Sequence, residues 1–412
     1  MRGDGNLSRR GLLLVLVGVL IVGSTFGASW ALAPDVDRIE DRTNENTTTL
    51  VGVQGPGWGG NVTSLDNNGT VRWSVEDAIS YQDVSHLDNG TVLATFADKY
   101  RRCGPYEPPC KRTGVRFIDP GAEDGEEITS EWSYPVRTRK DSEVHDAELL
   151  PSGELLVADM EYESIFTYNL STGEKTWVWN ASQRYDAPPD PTRTDWLHIN
   201  DVDRIGDGRY LVSVRNTNQL LILERGEGVV EVINEDRDPT ILDHQHNPHW
   251  LGDGAVVVAD SENDRVVELH RNESTGRWEV AWTVYEVGDI SLDWPRDADR
   301  LPNGNTLITD SRNDRVVEIT RNGSVVRSYD VPGLPYEADR VPYGESAGDP
   351  YVTEGNEVVG DRNLDVPVLT PLLTGARHVV VLPFWVSELH VLATLVAVVL
   401  WIAGGLLLVL DR

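Results

Sequence analysis

A chain of 412 residues with 67 Asp and Glu against 36 Lys and Arg carries a formal net charge of −31, although only 25% of its residues are charged. Apolar residues at 40%, with 13 tryptophans, supply a large core, which excludes wholesale disorder, while the sign of the charge excludes nucleic-acid binding through a basic surface. Only Lys99, Lys111, Lys140 and Lys175 are lysines and the other 32 bases are arginines, a pattern typical of halophile proteomes. In their molar salt a Debye length of roughly 3 Å screens such self-repulsion. The acidity is therefore read as solvation in brine, not as a cation-binding function.

From the N-terminus, residues 1–10 are basic and short, and residues 11–33 form an uncharged apolar run long enough to cross a bilayer. Arg2, Arg9 and Arg10 before it place the N-terminus in the cytoplasm by the positive-inside rule. The same segment resembles a twin-arginine export signal with Ala31-Leu32-Ala33 as a cleavage site, but its apolar run is longer than an ordinary signal core, which favours a retained anchor. A second apolar run covers residues 389–410. Two spans then put residues 34–388 on the extracytoplasmic face, since long domains translocate largely regardless of charge. There, Cys103 and Cys110, in a loop rich in Pro and Gly, are placed to close a local disulfide. Eight outward-facing Asn-x-Ser/Thr sequons, at Asn46, Asn61, Asn68, Asn89, Asn169, Asn180, Asn272 and Asn322, permit glycosylation or simply form turns.

The middle of the chain repeats. DVSHLDNGTVLATF from Asp83, DAELLPSGELLVAD from Asp146, DVDRIGDGRYLVSV from Asp201, NPHWLGDGAVVVAD from Asn247 and DADRLPNGNTLITD from Asp297 align, with EADRVPYGESAGDPYV from Glu337 as a weaker sixth. Each reads as a strand, a turn built on glycine and a second strand. The starts lie 63, 55, 46, 50 and 40 residues apart, the size of one propeller blade. Outer strand pairs such as SENDRVVELHRNESTGRWEVAWTV follow five of the hairpins, and a sixth pair, NVTSLDNNGTVRWSV, precedes them all. The expected fold is an all-β, six-bladed propeller over residues 50–354, closed by strands from both chain ends, with N- and C-terminal transmembrane helices. Residues 34–49 and 355–388 are expected to be linkers.

The innermost strand of each blade lines the central channel. The residues just before the aligned starts are Gln82, His145, Asn200, His246, Arg296 and Tyr336; two positions earlier, on the same face of an extended strand, stand Ser80, Glu143, His198, His244, Trp294 and Leu334. Four of nine histidines fall on these two rings and His249 lies close by. Histidine alone suits a metal, but Arg296 and Arg215 oppose a cation, and histidine with arginine better suits an oxyanion. Asp159, Asp260 and Asp310 are read as blade-corner residues that bond to turns.

At these positions the chain resembles the bacterial arylsulfate sulfotransferases, which are six-bladed propellers. The resemblance rests on VHDAELLPSGELL, DWLHIND, the arginine of LVSVRNT, and HQHNPHWL. It implies transfer of a sulfuryl group from an aryl sulfate donor to a phenolic or other hydroxyl acceptor, without a nucleotide donor, cofactor or metal. His246 falls on the family's sulfated histidine, His145 and His198 on its other histidines, Asn200 on its asparagine and Arg215 on its arginine. One extra residue in Asn247-Pro248-His249 departs from the family pattern and leaves His244 and His249 as further nucleophile candidates. Arg296, Tyr336, Trp294, His244 and His249 are the expected substrate-binding residues, with Trp294 and Tyr336 placed to stack on an aromatic donor. The family's dimerisation domain has no counterpart here, so oligomeric state stays open. Two readings compete with this one: a non-catalytic NHL-like propeller binding a glycan or protein, and a calcium-dependent propeller hydrolase or lactonase using Glu143 and Asn200.

Overall fold

A computed structural model describes residues 6–39, 47–55, 59–100, 106, 110–122, 127–136, 142–344, 346–361, 366–377, 379–380 and 382–410. It divides into two compact units, residues 36–361 and a unit made of the two chain ends. The larger unit is a six-bladed β-propeller.

Five blades take their four antiparallel strands from one continuous stretch of chain, innermost first. Blade B begins at Ser80–His86, blade C at Val144–Leu149, blade D at Ile199–Gly206, blade E at His246–Gly252 and blade F at Pro295–Arg300. Blade A differs. Its innermost strand, Pro335–Val341, comes from the C-terminal side, and its other three, Thr48–Val53, Gly60–Asp66 and Val71–Ala78, come from the N-terminal side. The sixth repeat is therefore a single strand and not the expected hairpin. After Val341 the sequence PYGESAGDP offers no alternation of apolar residues, whereas TTTLVGV is β-branched and alternating, and takes the second position.

The segments expected as linkers also join the sheets. Arg38–Ile39 pairs with the outer strand of blade F, Val325–Asp330. Glu357–Val359 adds a parallel fifth strand to blade E beside Trp278–Val284. Both cover edges that would otherwise present unpaired backbone groups.

Alternating strand faces bury a hydrophobic cluster at every junction between blades. Leu93, Val115, Val144 and Phe166 join blades B and C, for example, and Val51, Leu65, Val316 and Tyr329 join F to A. The aligned aspartates add a polar latch. Asp83 accepts the backbone N–H of Ala147 at 3.3 Å, Asp146 that of Val202 at 2.7 Å and Asp297 that of Ala338 at 3.0 Å, each from the next blade. Asp201 would meet Pro248, which has no N–H to give. Asp339 links blade A to blade B by accepting from His86 at 2.9 Å. The corner aspartates behave as the sequence indicates: Asp260 accepts from Asp243 N, Asn263 and Arg265, and Asp310 from Asp293 N, Asn313 and Arg315.

In the smaller unit, helices Asn6–Leu32 and Glu388–Leu410 are candidate membrane spans by length and composition. They cross at glycines: a Cβ on Gly11 would stand 2.7 Å from Gly404 O, and one on Gly404 2.6 Å from Gly11 O. Trp401 Nε1 donates to Val15 O at 3.1 Å. Close approach through small residues is how apolar helices pack where water does not drive them together.

The latch predicts that Asp297→Ala, which leaves the Ala338 N–H buried and unpaired, lowers unfolding stability by about 1–3 kcal/mol. Chemical denaturation measures it. Unchanged stability would show that the latch contributes nothing.

Candidate active site on the channel axis

Two local features carry the site, and neither follows the strand periodicity expected from sequence. The first is a β-bulge on all six innermost strands. Pairing with the second strand slips between Tyr81 and Val84, Val144 and Ala147, Ile199 and Asp201, His246 and His249, and Pro295 and Asp297, and likewise opposite Gly52 and Val53 in blade A. A bulge sets two residues against one and re-aims side chains. Here it lets neighbouring residues, such as His145 and Asp146, both serve the channel.

The second feature is a left-handed residue ahead of the strand in four blades: His198 (φ 57°), His244 (50°), Trp294 (54°) and Leu334 (66°). These are four of the positions expected on the same strand face as the ring residues, so that expectation fails there. The strain is held from the preceding blade. Glu163 accepts the N–H groups of Leu197, His198 and Ile199 at 2.8–3.0 Å. Asn218 accepts from His244 at 3.0 Å, Asp264 from Trp294 at 2.9 Å, and Asp314 from Gly333 and Leu334 at 3.2 and 3.3 Å. All four clamps are themselves left-handed, with φ of 49–59°.

Alternate blades meet at the axis. His145 of blade C stacks on Tyr336 of blade A with ring centroids 5.3 Å apart, and His246 of blade E meets the edge of Tyr336 at 5.8 Å. His198 lies 5.6 Å from His145. Arg296 sits 4.7 Å from the Tyr336 ring and 3.9 Å from that of Trp294, and donates to Gln54 beside the closing strand. Asn200 donates its amide to Gln245 O at 2.9 Å. Arg215, whose backbone N–H bonds His198 O, pairs with Asn216 at 2.9 Å and lies 3.8 Å from Glu262.

Hydrogen bonds fix which histidine nitrogens are free. Ser261 Oγ donates to Pro295 O at 2.6 Å, so its contact with His246 Nδ1 at 2.8 Å must be one in which the imidazole N–H donates. That leaves the lone pair on His246 Nε2. His198 Nδ1 likewise donates to Asp195, 2.8 Å from each oxygen. At the axis, His145 Nδ1, Asn200 Oδ1, Arg296 Nε and Tyr336 Oη are among the buried polar atoms that have no partner among the described residues. Buried polar atoms are normally bonded, and a cluster of orphans marks where a polar ligand belongs.

Electrostatics keeps the imidazoles of His145 and His246 neutral. Burial, then Arg296 and Arg215, hold His246 well below the usual histidine range. Burial and His198 push His145 down to about 3. Arg296 is itself pushed down to about 9, by burial first. Asp195 stays low despite its burial because His198 hydrogen-bonds to it. Burial takes Glu163 up to about 7 even though it accepts three backbone bonds. The site thus combines neutral imidazole lone pairs with guanidinium charge, which suits attack on an oxyanion centre.

His145, His198, Asn200, His246, Arg296 and Tyr336 therefore come together, with Arg215 close enough to depress His246. His244 does not join them. Its side chain is 38% exposed and bonds Asp243 at 2.6 Å. His249 also lies elsewhere: the blade E bulge carries it to the opposite, acidic end of the channel, against Asp299 at 2.6 Å. Neither ring expected to stack on a donor is free to do so. Trp294 carries Arg296 at 3.9 Å and Arg312 at 4.2 Å, while Tyr336 carries His145 and Arg296. Glu143 pairs with Lys111, and no group of three or more His, Cys, Asp or Glu side chains suited to a metal stands among the described residues. Cys110 is disulfide-bonded, and Cys103 lies outside the described residues. Sequence reasoning missed Ser261 and Asp195. Ser261 was visible as the first residue of SENDR, which aligns with SRNDR in the next blade, and Asp195 as the first of DWLHIND, but only the fold brings either to a histidine.

No family model matches the chain, and no curated protein matches its sequence. Among solved structures it is similar to a protein of unknown function from Bacteroides caccae, at 18% identity over 72% of this chain and 100% of the other, with a TM-score of 0.50. It is also similar to a periplasmic gluconolactonase from Pseudomonas aeruginosa, at 14% identity over 72% and 99%, TM-score 0.46. A virginiamycin B lyase from Staphylococcus aureus shows 12% identity over 69% and 74%, TM-score 0.39. The first of these is a likeness of fold alone, and the six blades are read from the strand order itself.

Histidine-selective NMR of the detergent-solubilised protein should show His246 neutral, protonated on Nδ1, from pH 8 down to pH 5, with His145 also unprotonated across that range. Titration of the His246 ring near its ordinary value would contradict the assignment.

Proposed function

We propose that the propeller is a sulfuryl transferase, held at the membrane by its two terminal helices with the channel on the extracytoplasmic side, working through a sulfohistidine on His246. The observation that carries the reading is the neutral His246 imidazole, fixed by Ser261 with its Nε2 lone pair free among unpartnered polar atoms. Nε2 attacks the sulfur of an aryl sulfate in line. An S–N bond forms as the S–O bond to the aryl group breaks, and the electron pair leaves on the phenolate oxygen. His198, whose ring Asp195 orients through Nδ1, gives that oxygen a proton. His145, held neutral, is unsuited to that role and acts as a fixed polar contact. The acceptor hydroxyl then returns its proton to His198 and takes the sulfuryl group, while the S–N electron pair goes back to Nε2.

Charge in the loose transition state lies on three equatorial oxygens. Arg296 Nε, the Tyr336 hydroxyl and the Arg215 guanidinium are the donors placed to hold them. With Trp294 and Tyr336 already covered, the preference for an aryl donor comes from the stability of the leaving phenolate, not from ring stacking. A propeller that only bound a glycan would have no use for a buried imidazole whose tautomer is enforced.

Phenol release from an aryl sulfate in molar salt should follow ping-pong kinetics and disappear in His246→Asn. Ser261→Ala frees the tautomer and should lower kcat about 10- to 100-fold, the equivalent of about 1–3 kcal/mol, with KM little changed. Wild-type kcat in Ser261→Ala, or turnover by His246→Asn, would refute the scheme.

A further inference from the structure

The opposite end of the channel has the reverse character. It opens as a narrow recess with eight carboxylate side chains among its lining residues and no lysine or arginine. Asp83, Asp146, Asp201 and Asp297 form one tier, and Asp203 and Asp299 belong to the next tier outward. The basic group lining it is His249, which faces Asp299. Three of the first-tier aspartates each commit an oxygen to the latch on the following blade, so the ring's architecture itself gathers the charge here.

A second feature points to a ligand. Asn247, in the position that aspartate holds in other blades, lines the recess and is 7% exposed. Its amide nitrogen donates to Glu337 at 3.1 Å, and its Oδ1 has no partner among the described residues. An amide oxygen left bare inside a ring of carboxylates is a neutral ligand for a hard cation. Among the described residues no three acidic or histidine side chains converge as a ready-made cage. That favours an ion that tolerates irregular geometry and keeps water. Calcium does so, whereas magnesium demands near-ideal octahedral ligands.

We propose that the acidic end of the channel binds one calcium ion, with Asn247 Oδ1 as a direct ligand and the ring carboxylates holding it largely through its water shell. The ion would screen the carboxylates that the six-fold repeat brings together and so stabilise the closed ring. Its affinity should fall in the range of about 10⁻⁴–10⁻³ M seen in extracellular calcium modules. This inference is independent of the chemistry at the histidine end.

Equilibrium dialysis of the solubilised full chain with radioactive calcium, at constant ionic strength set by sodium chloride, should find one saturable ion per chain. Calcium should raise Tm saturably over the same concentration range, with magnesium weaker. Asn247→Ala should weaken binding at least tenfold and Asn247→Asp should strengthen it, while Asp253→Asn on the exposed surface should leave it unchanged. No saturable binding to the wild-type chain, or a Tm rise reproduced by sodium alone, would overturn the proposal even if the Asn247 variants failed to fold. An Asn247→Ala chain that folds and binds calcium like wild type would overturn it as well.

Discussion

Everything at the channel axis depends on one pairing, that of Pro335–Val341 with Thr48–Val53. These strands come from opposite ends of the domain, and until they meet blade A has no innermost strand. Their meeting completes the hydrophobic cluster that includes Val51, Leu307 and Ala338. It also delivers Tyr336, which touches His145, His246 and Arg296 from three other blades, and Gln54, which receives Arg296. The loop-closure entropy of joining such distant segments grows slowly with length and is offset by packing on both faces of the closing strand. Stability and site geometry are thus one problem in this fold, because the last strand to be added is also the one at the centre of the site.

Much of this is legible in the sequence, for physical reasons that can be named. Blade repeats show because each must bury apolar strands against its neighbours, which imposes alternation around a glycine turn. The ring residues show because the repeats align them. What alignment could not reveal is the local backbone. A β-bulge leaves the apolar pattern of a strand nearly intact, so His145 and Asp146 read as facing opposite ways when both serve the channel. The left-handed residues at His198, His244, Trp294 and Leu334 carry no glycine to announce them; they are sustained by Glu163, Asn218, Asp264 and Asp314 one blade away. Nor does alignment separate His198, which reaches the axis beside His145, from His244, equivalent in sequence, which is bonded to Asp243 and partly exposed. Asn247-Pro248-His249 could be seen as an anomaly, but its consequence, a histidine at the opposite end, required the bulge. The weak sixth repeat misled for a different reason, since Glu337 aligned well and the partner strand lay almost 300 residues earlier.

The charge balance also changes meaning. Part of the net charge of −31 is solvated surface, but the aligned aspartates are buried latches between blades. Set beside the ring residues, they give the channel two ends of opposite sign, one with arginine and neutral histidine, the other with carboxylates. An anionic group is directed to the first by this polarity. Burial does the remaining work there: it strips charge from His145 and His246, whose lone pairs become available, while Arg296 retains enough interactions to remain a cation at neutral pH.

The most direct test of the account is to trap the covalent state. The solubilised protein is mixed with an aryl sulfate in the absence of acceptor, quenched at alkaline pH, and analysed by intact mass and peptide mapping. The account predicts stoichiometric gain of one sulfuryl group on Nε2 of His246, discharged when a phenolic acceptor is added. Phenol release with the label on another residue, or with no covalent intermediate at all, would contradict it.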